Sequence, residues 1–136
     1  MEKELIEAIS SIHDPGGWVH LSTSGINGEP HVTPMMMGMS DEALLFSLTG
    51  KQKKLNLQRD SRACVAISKP VVMDHVIVWG SIKLHHDDRA QQIWNEMIRN
   101  AFGQERLDQI SRKLSFEQTS LGLMTPKRYR IYGIKN

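Results

Sequence analysis

The stretch Leu45-Phe46-Ser47-Leu48-Thr49-Gly50-Lys51-Gln52-Lys53-Lys54-Leu55-Asn56-Leu57-Gln58-Arg59-Asp60 changes character in its middle. Ala43 to Leu48 reads as a strand, Thr49-Gly50 breaks it, and Lys51 to Arg59 reads as a charged helix. Ser47 and Thr49 lie two residues apart, hence on one face of the pleat, and Gly50 lets the backbone turn into the helix. Hydroxyls, the open N–H groups of a helix start and lysines therefore meet within a few residues. A phosphate suits that meeting: amides and helix dipole favour an anion, hydroxyls donate to its oxygens, and an ammonium neutralises it. Composition alone describes Lys51, Lys53 and Lys54 equally well as a solvated helix face.

Working outward toward the N-terminus, Leu5, Ile6, Ile9 and Ile12 recur at helical spacing until Pro15-Gly16-Gly17, which predicts an amphipathic helix over 2–13. Trp18 to Thr23 alternates, Ser24 to Gly28 carries turn residues, and His31 to Met39 is apolar and extended, together a hairpin. Toward the C-terminus, Ala63 to Ser68 and Val76 to Leu84 read as strands. Ala90, Ile93, Trp94, Met97, Ile98, Ala101 and Phe102 then fall on one helix face behind a cap at Asp87 or Asp88. Leu107, Ile110 and Leu114 give a shorter second helix after Gly103. Leu121 to Met124 and Arg128 to Ile134 read as two closing strands around Thr125-Pro126. Without the βαβ alternation of a parallel sheet, this order predicts an α+β fold built on an antiparallel barrel with flanking helices.

Length and composition bound the function. The 136 residues, 40% hydrophobic and 24% charged, fit one globular domain spanning 1–136 with a single site. No apolar run reaches the ~20 residues of a membrane helix, and MEKELIEAIS is acidic where a signal peptide is basic, so the expected location is the cytoplasm. A net charge of +2 without a basic stripe gives no case for nucleic acid. The single cysteine, Cys64 in the run ACVAI, reads as a buried inert thiol. His85-His86 point to opposite strand faces and bring no third ligand, so no metal site is assigned and Asp87 or Asp88 is read as a helix cap. Met35, Met36, Met37 and Met39 read as packing, with a soft-metal or haem site as the other possibility. His13 reads as a cap or surface residue. No catalytic triad or dyad can be read from spacing.

Taken in order, Trp18-Val19-His20-Leu21-Ser22-Thr23, Gly28-Glu29-Pro30-His31-Val32-Thr33-Pro34, Leu44-Leu45-Phe46-Ser47 and Lys51 through Ala63 resemble the pyridoxamine-phosphate-oxidase-like split β-barrel superfamily. Val78-Trp79-Gly80-Ser81-Ile82 is similar to its later strand with a family glycine. The resemblance implies an antiparallel split barrel, FMN as cofactor or a deazaflavin in its place, and a homodimer with the cofactor at the subunit interface. It puts Lys53 in the place of the family's phosphate lysine, with Lys51 and Lys54 beside it, and Ser47 and Thr49 on the phosphate or ribityl chain. It brings His31, Val32, Thr33, Phe46 and Trp79 toward the cofactor as well. Thr33 stands where the vitamin-pathway oxidases carry an arginine, and their arginine-containing substrate segment has no match near Arg128-Tyr129-Arg130, which argues against that oxidase activity. The expectation is an FMN-dependent oxidoreductase moving a hydride to or from a small molecule. Its alternatives are a deazaflavin-dependent reductase and a non-catalytic flavin or haem carrier. No catalytic residue is assigned.

Overall fold

The computed structural model describes residues 1–70, 72–115 and 119–134. In chain order they form α1 (Lys3–Ile12), β1 (Trp18–Ser24), β2 (Pro30–Met39), β3 (Leu44–Leu48), α2 (Lys51–Arg59), β4 (Arg62–Ser68), β5 (His75–His85), α3 (Asp88–Phe102), α4 (Gln104–Lys113) and β6 (Ser120–Tyr132). The strands close an antiparallel barrel in the order β1-β2-β3-β6-β5-β4.

Alternation along each strand sends one row of side chains inward. Val19, Leu21, Met35, Met37, Leu44, Phe46, Leu48, Val65, Ile67, Val76, Val78 and Met124 fill the barrel. α1 closes one end, burying Leu5, Ala8 and Ile9, and the chain's amino terminus donates to the Asp41 carbonyl in the β2–β3 turn. α2 closes the other end, beside the β1–β2 turn, and adds Leu57 to the core. A second apolar cluster lies outside the barrel, where Ala90, Trp94, Met97 and Ile98 of α3 and Leu107 of α4 pack on Leu45 and Leu121. β3 is therefore covered on both faces, one by the barrel core and one by α3. The cap of α3 is Asp87, whose side chain accepts from the Ala90 N–H at 2.8 Å.

Three sequence expectations change. The two closing strands are one, β6, because an irregularity absorbs Thr125-Pro126: Trp79 pairs with Arg128 and Gly80 with Pro126, leaving Lys127 as the extra residue of a bulge. Cys64 is only half-buried, since it points outward from β4 opposite Trp79. Desolvation still raises its pKa, against a smaller opposing effect of the Arg128 charge. His13 is a tertiary tie, its Nε2 lying 2.8 Å from the Met37 carbonyl. Among the described residues no helix is long and apolar enough to cross a membrane.

Candidate cofactor-phosphate site

β2 and β3 pair only where Met37–Met39 meets Leu44–Phe46. Upstream of Met37, β2 stays with β1; beyond Phe46, β3 stays with β6. The barrel parts there, and α2 starts at the parting. His31 and Thr33 lie on the inward row of β2 that continues as Met35 and Met37. Among the described residues their Nδ1 and Oγ1 atoms are buried without a hydrogen-bond partner. An unpaired buried polar atom costs about 1–3 kcal/mol, and such atoms mark places where a water or ligand completes the structure.

α2 is held against this parting by Asn56, which is fully buried. Its amide Nδ2 donates to Thr23 Oγ1 at 3.1 Å, and its Oδ1 accepts from Gln52 Nε2 at 2.8 Å and Arg59 at 3.1 Å. Arg59 also donates to the Ser24 carbonyl at 2.9 Å. Thr23 is the cross-strand neighbour of His31, so the anchor of α2 sits next to the first orphan atom.

Among the described residues no side chain caps the N-terminus of α2, where Gly50 is the N-cap. Lys53 folds back over it: a Cβ at Gly50 would lie 2.9 Å from Lys53 Nζ. Glycine leaves room for the amine above a helix start whose first N–H groups lack a helical acceptor. Burial lowers the Lys53 pKa, and among the described residues no hydrogen-bond or ion-pair partner offsets that desolvation. An anion placed there would supply the missing counter-charge. Lys51 and Thr49 are exposed and Lys54 is half-buried, all on the same turn.

The other expected site residues divide. Ser47 turns toward α3, where its Oγ accepts from Trp94 Nε1 at 2.7 Å; its own proton remains to be donated. Phe46 is fully buried in the barrel, on the face of β3 opposite to Ser47. Val32 is 58% exposed on the outer face, opposite to His31 and Thr33. Trp79 lies on the outside of β5 with Arg128 stacked 4.0 Å from its ring centroid, and within one chain it does not join the lysine loop. Asn56, Thr23, Gln52 and Trp94 were not singled out from the sequence. The spacing of Asn56 and Arg59 on one helix face was the available signal.

An antiparallel barrel parted between two strands, with an anion-suited helix start in the parting, defines the class of α+β split barrels. The chain belongs to the pyridoxamine 5'-phosphate oxidase family, whose model matches residues 10–130. Among curated proteins no significant relative is found. Solved structures with this fold include a conserved hypothetical protein from Mycobacterium tuberculosis (17% identity, 100% of this chain and 90% of that chain, TM-score 0.75). The heme storage protein HutZ from Vibrio cholerae is another (14%, 96% and 93%, TM-score 0.73), as is an F420 reductase (17%, 89% and 94%, TM-score 0.68). At these identities the likeness is one of fold.

Proposed function

We propose that the chain holds the phosphate end of a flavin-type cofactor, FMN or a deazaflavin, where β2 and β3 part, and serves as an oxidoreductase on a small molecule. The observation that carries this reading is the uncapped helix start over which Lys53 is folded, on a helix anchored to β1 next to His31, whose Nδ1, like Thr33 Oγ1, is buried without a partner among the described residues. In this proposal one phosphate draws on all three. Lys53 balances its charge, the first N–H groups of α2 and the Thr33 hydroxyl donate to its oxygens, and His31 donates when Nδ1 carries its proton. Asn56 keeps α2 in place for this. Thr33 supplies a neutral donor where the vitamin-pathway oxidases have an arginine, so the charge falls to the lysines.

When bound, such a cofactor carries the hydride, and the chain's part is to bind it, orient it and keep competing reactions away. A second copy of the chain belongs to the same reading. Trp18 and Val32 are 70% and 58% exposed on the outer face of β1–β2, and Trp79 lies on the outer face of β5. Pairing of that outer surface would bring Trp79 of one protomer toward the site of its partner, at two equivalent interface sites.

Titration of the purified protein with FMN and with a deazaflavin, followed by flavin fluorescence, tests the reading. Lys53→Ala is expected to weaken binding by about 1.5–3 kcal/mol, roughly 10- to 150-fold, the worth of a hydrogen bond to a charged group. Unchanged affinity would put the phosphate elsewhere. The second reading, a carrier without turnover, draws on the structural neighbour described as a heme storage protein. Acceleration of reduced-cofactor oxidation over the free cofactor, across a panel of acceptors, separates the two.

A further inference from the structure

α3 does not lie along the strands it covers; it crosses them. Its first turn carries Arg89 beside the end of β5, Trp94 bonds Ser47 on β3, and the Met97 sulfur would lie 2.8 Å from a Cβ at Gly38 on β2. Its far end meets the α1–β1 loop, where Ala101 and Phe102 close on Gly16. Alongside it runs an open groove of about 1140 Å³ that none of Thr49, Lys51, Lys53 or Lys54 lines.

The floor of the groove is one row across four strands: Gly38 pairs with Leu45, Leu45 with Leu123, and Leu123 with Lys83. Three inter-strand steps of about 4.8 Å make that row about 14 Å long. The rise from Arg89 to Met97 along α3 gives about 12 Å, so helix wall and sheet floor agree on the length.

The groove differs along its length. At the β5 end Lys83, His85 and Arg89 line the groove, and among the described residues none of the three has an ion-pair or hydrogen-bond partner. Asp87 on that side is spent on the helix cap, and Asp88 is exposed without lining the groove. The middle is apolar, formed by Leu45, Leu123, Ile93, Met97, Met36 and Met39, with Glu96 exposed at its rim. The far end carries His13 and Asn100, with the acidic Asp41 and Glu42 of the β2–β3 turn. One acid is attracted at one end, an apolar body is accommodated between, and a second acid is repelled at the other.

We infer that this groove binds an elongated amphipathic monoacid, its carboxylate or other acidic head at Lys83, His85 and Arg89 and its apolar body on the Leu45–Leu123 floor under α3. Methionines suit such a body because their unbranched thioethers adapt to its shape. The site stands apart from the phosphate reading, since Lys53 does not line it.

Octanoate is the probe, added below its micellar range to full-length protein labelled at the methionine methyls. The methyl resonances of Met36, Met39 and Met97 are expected to shift saturably, while that of Met73, 74% exposed and outside the groove, stays put. Octylamine, with the same tail and the opposite charge, is expected to bind at least tenfold more weakly. The double charge reversal Lys83→Glu with Arg89→Glu, both at exposed positions, should weaken octanoate at least tenfold and invert the preference toward octylamine. The charge-retaining pair Lys83→Arg with Arg89→Lys should keep octanoate affinity. Equal binding of octylamine, shifts at Met73 as large as in the groove, or charge reversal without effect would each overturn the inference. In Lys53→Ala, octanoate binding should persist while FMN binding falls, so failure of either reading is visible separately.

Discussion

Replacing Asn56 by alanine tests whether α2, and with it the phosphate loop, is anchored from inside the barrel. The side chain makes three hydrogen bonds, but they are not equal. Gln52 and Arg59 are exposed and rebond to water, so their loss costs little. Thr23 is 3% exposed, and without Asn56 its hydroxyl has no partner, a cost of about 1–3 kcal/mol. The void left by the fully buried amide adds to this, giving about 2–4 kcal/mol in all. Against a typical total stability of about 5–15 kcal/mol that is a large fraction, and at this chain length it lowers Tm by roughly 10 °C. Thr23→Val removes the acceptor in nearly the same volume and leaves the Asn56 amide unpaired. In the double variant neither orphan remains, so its cost should fall short of the sum of the singles by about 1 kcal/mol. Urea and thermal unfolding followed by far-UV circular dichroism measure all four states. A loss below about 1 kcal/mol for Asn56→Ala, or strict additivity with Thr23→Val, would refute the anchor.

Two further predictions address the barrel and the end of α2. A Cβ at Gly80 would overlap the Thr125 carbonyl, a backbone atom, so Gly80→Ala must spread β5 from β6 and is expected to cost about 2–3 kcal/mol; unchanged unfolding would show that the bulge relaxes freely. Asp60, bonded to Arg62 at 2.7 Å, has its pKa lowered from 3.8 to about 2, chiefly by the Arg62 side-chain hydrogen bond and then by the Arg62 backbone N–H. Because the folded pKa is the lower one, its contribution is present above about pH 4 and lost as pH falls toward 2, so Asp60→Asn should flatten the stability profile in that window. An unaltered slope would mean that the pair does not persist in solution.

Local chemistry explains how much was legible beforehand. α2 was readable as Lys51 to Arg59 because Gly50 and the charge run bracket it, and α3 because its apolar period and Asp87 cap are both local signals. β6 reads as two strands because Pro126 removes an N–H and looks like a break. Only the pairing with Gly80, which leaves room for the approaching Thr125 carbonyl, carries the strand through it. Phe46 and Ser47 are both expected at the ligand, yet as neighbours on β3 they face opposite ways. The alternation that would have separated them is hidden in Leu44-Leu45-Phe46, which is apolar on both faces because α3 covers the outside.

The sequence by itself determined most of the strand and helix content and a lysine-bearing helix start suited to an anion, which depend on neighbours within a few residues, and the family, which depends on short motifs in a fixed order. Tertiary structure alone decided that β2 and β3 part at Met37, and that His31 and Thr33 there hold buried polar atoms without partners among the described residues. It also decided that Asn56 ties α2 to β1 and that α3 crosses four strands to wall a groove with a basic end. These depend on which residues meet across the barrel, and the separations that bring Thr23 to Asn56 or Ser47 to Trp94 leave no periodicity in the chain to read.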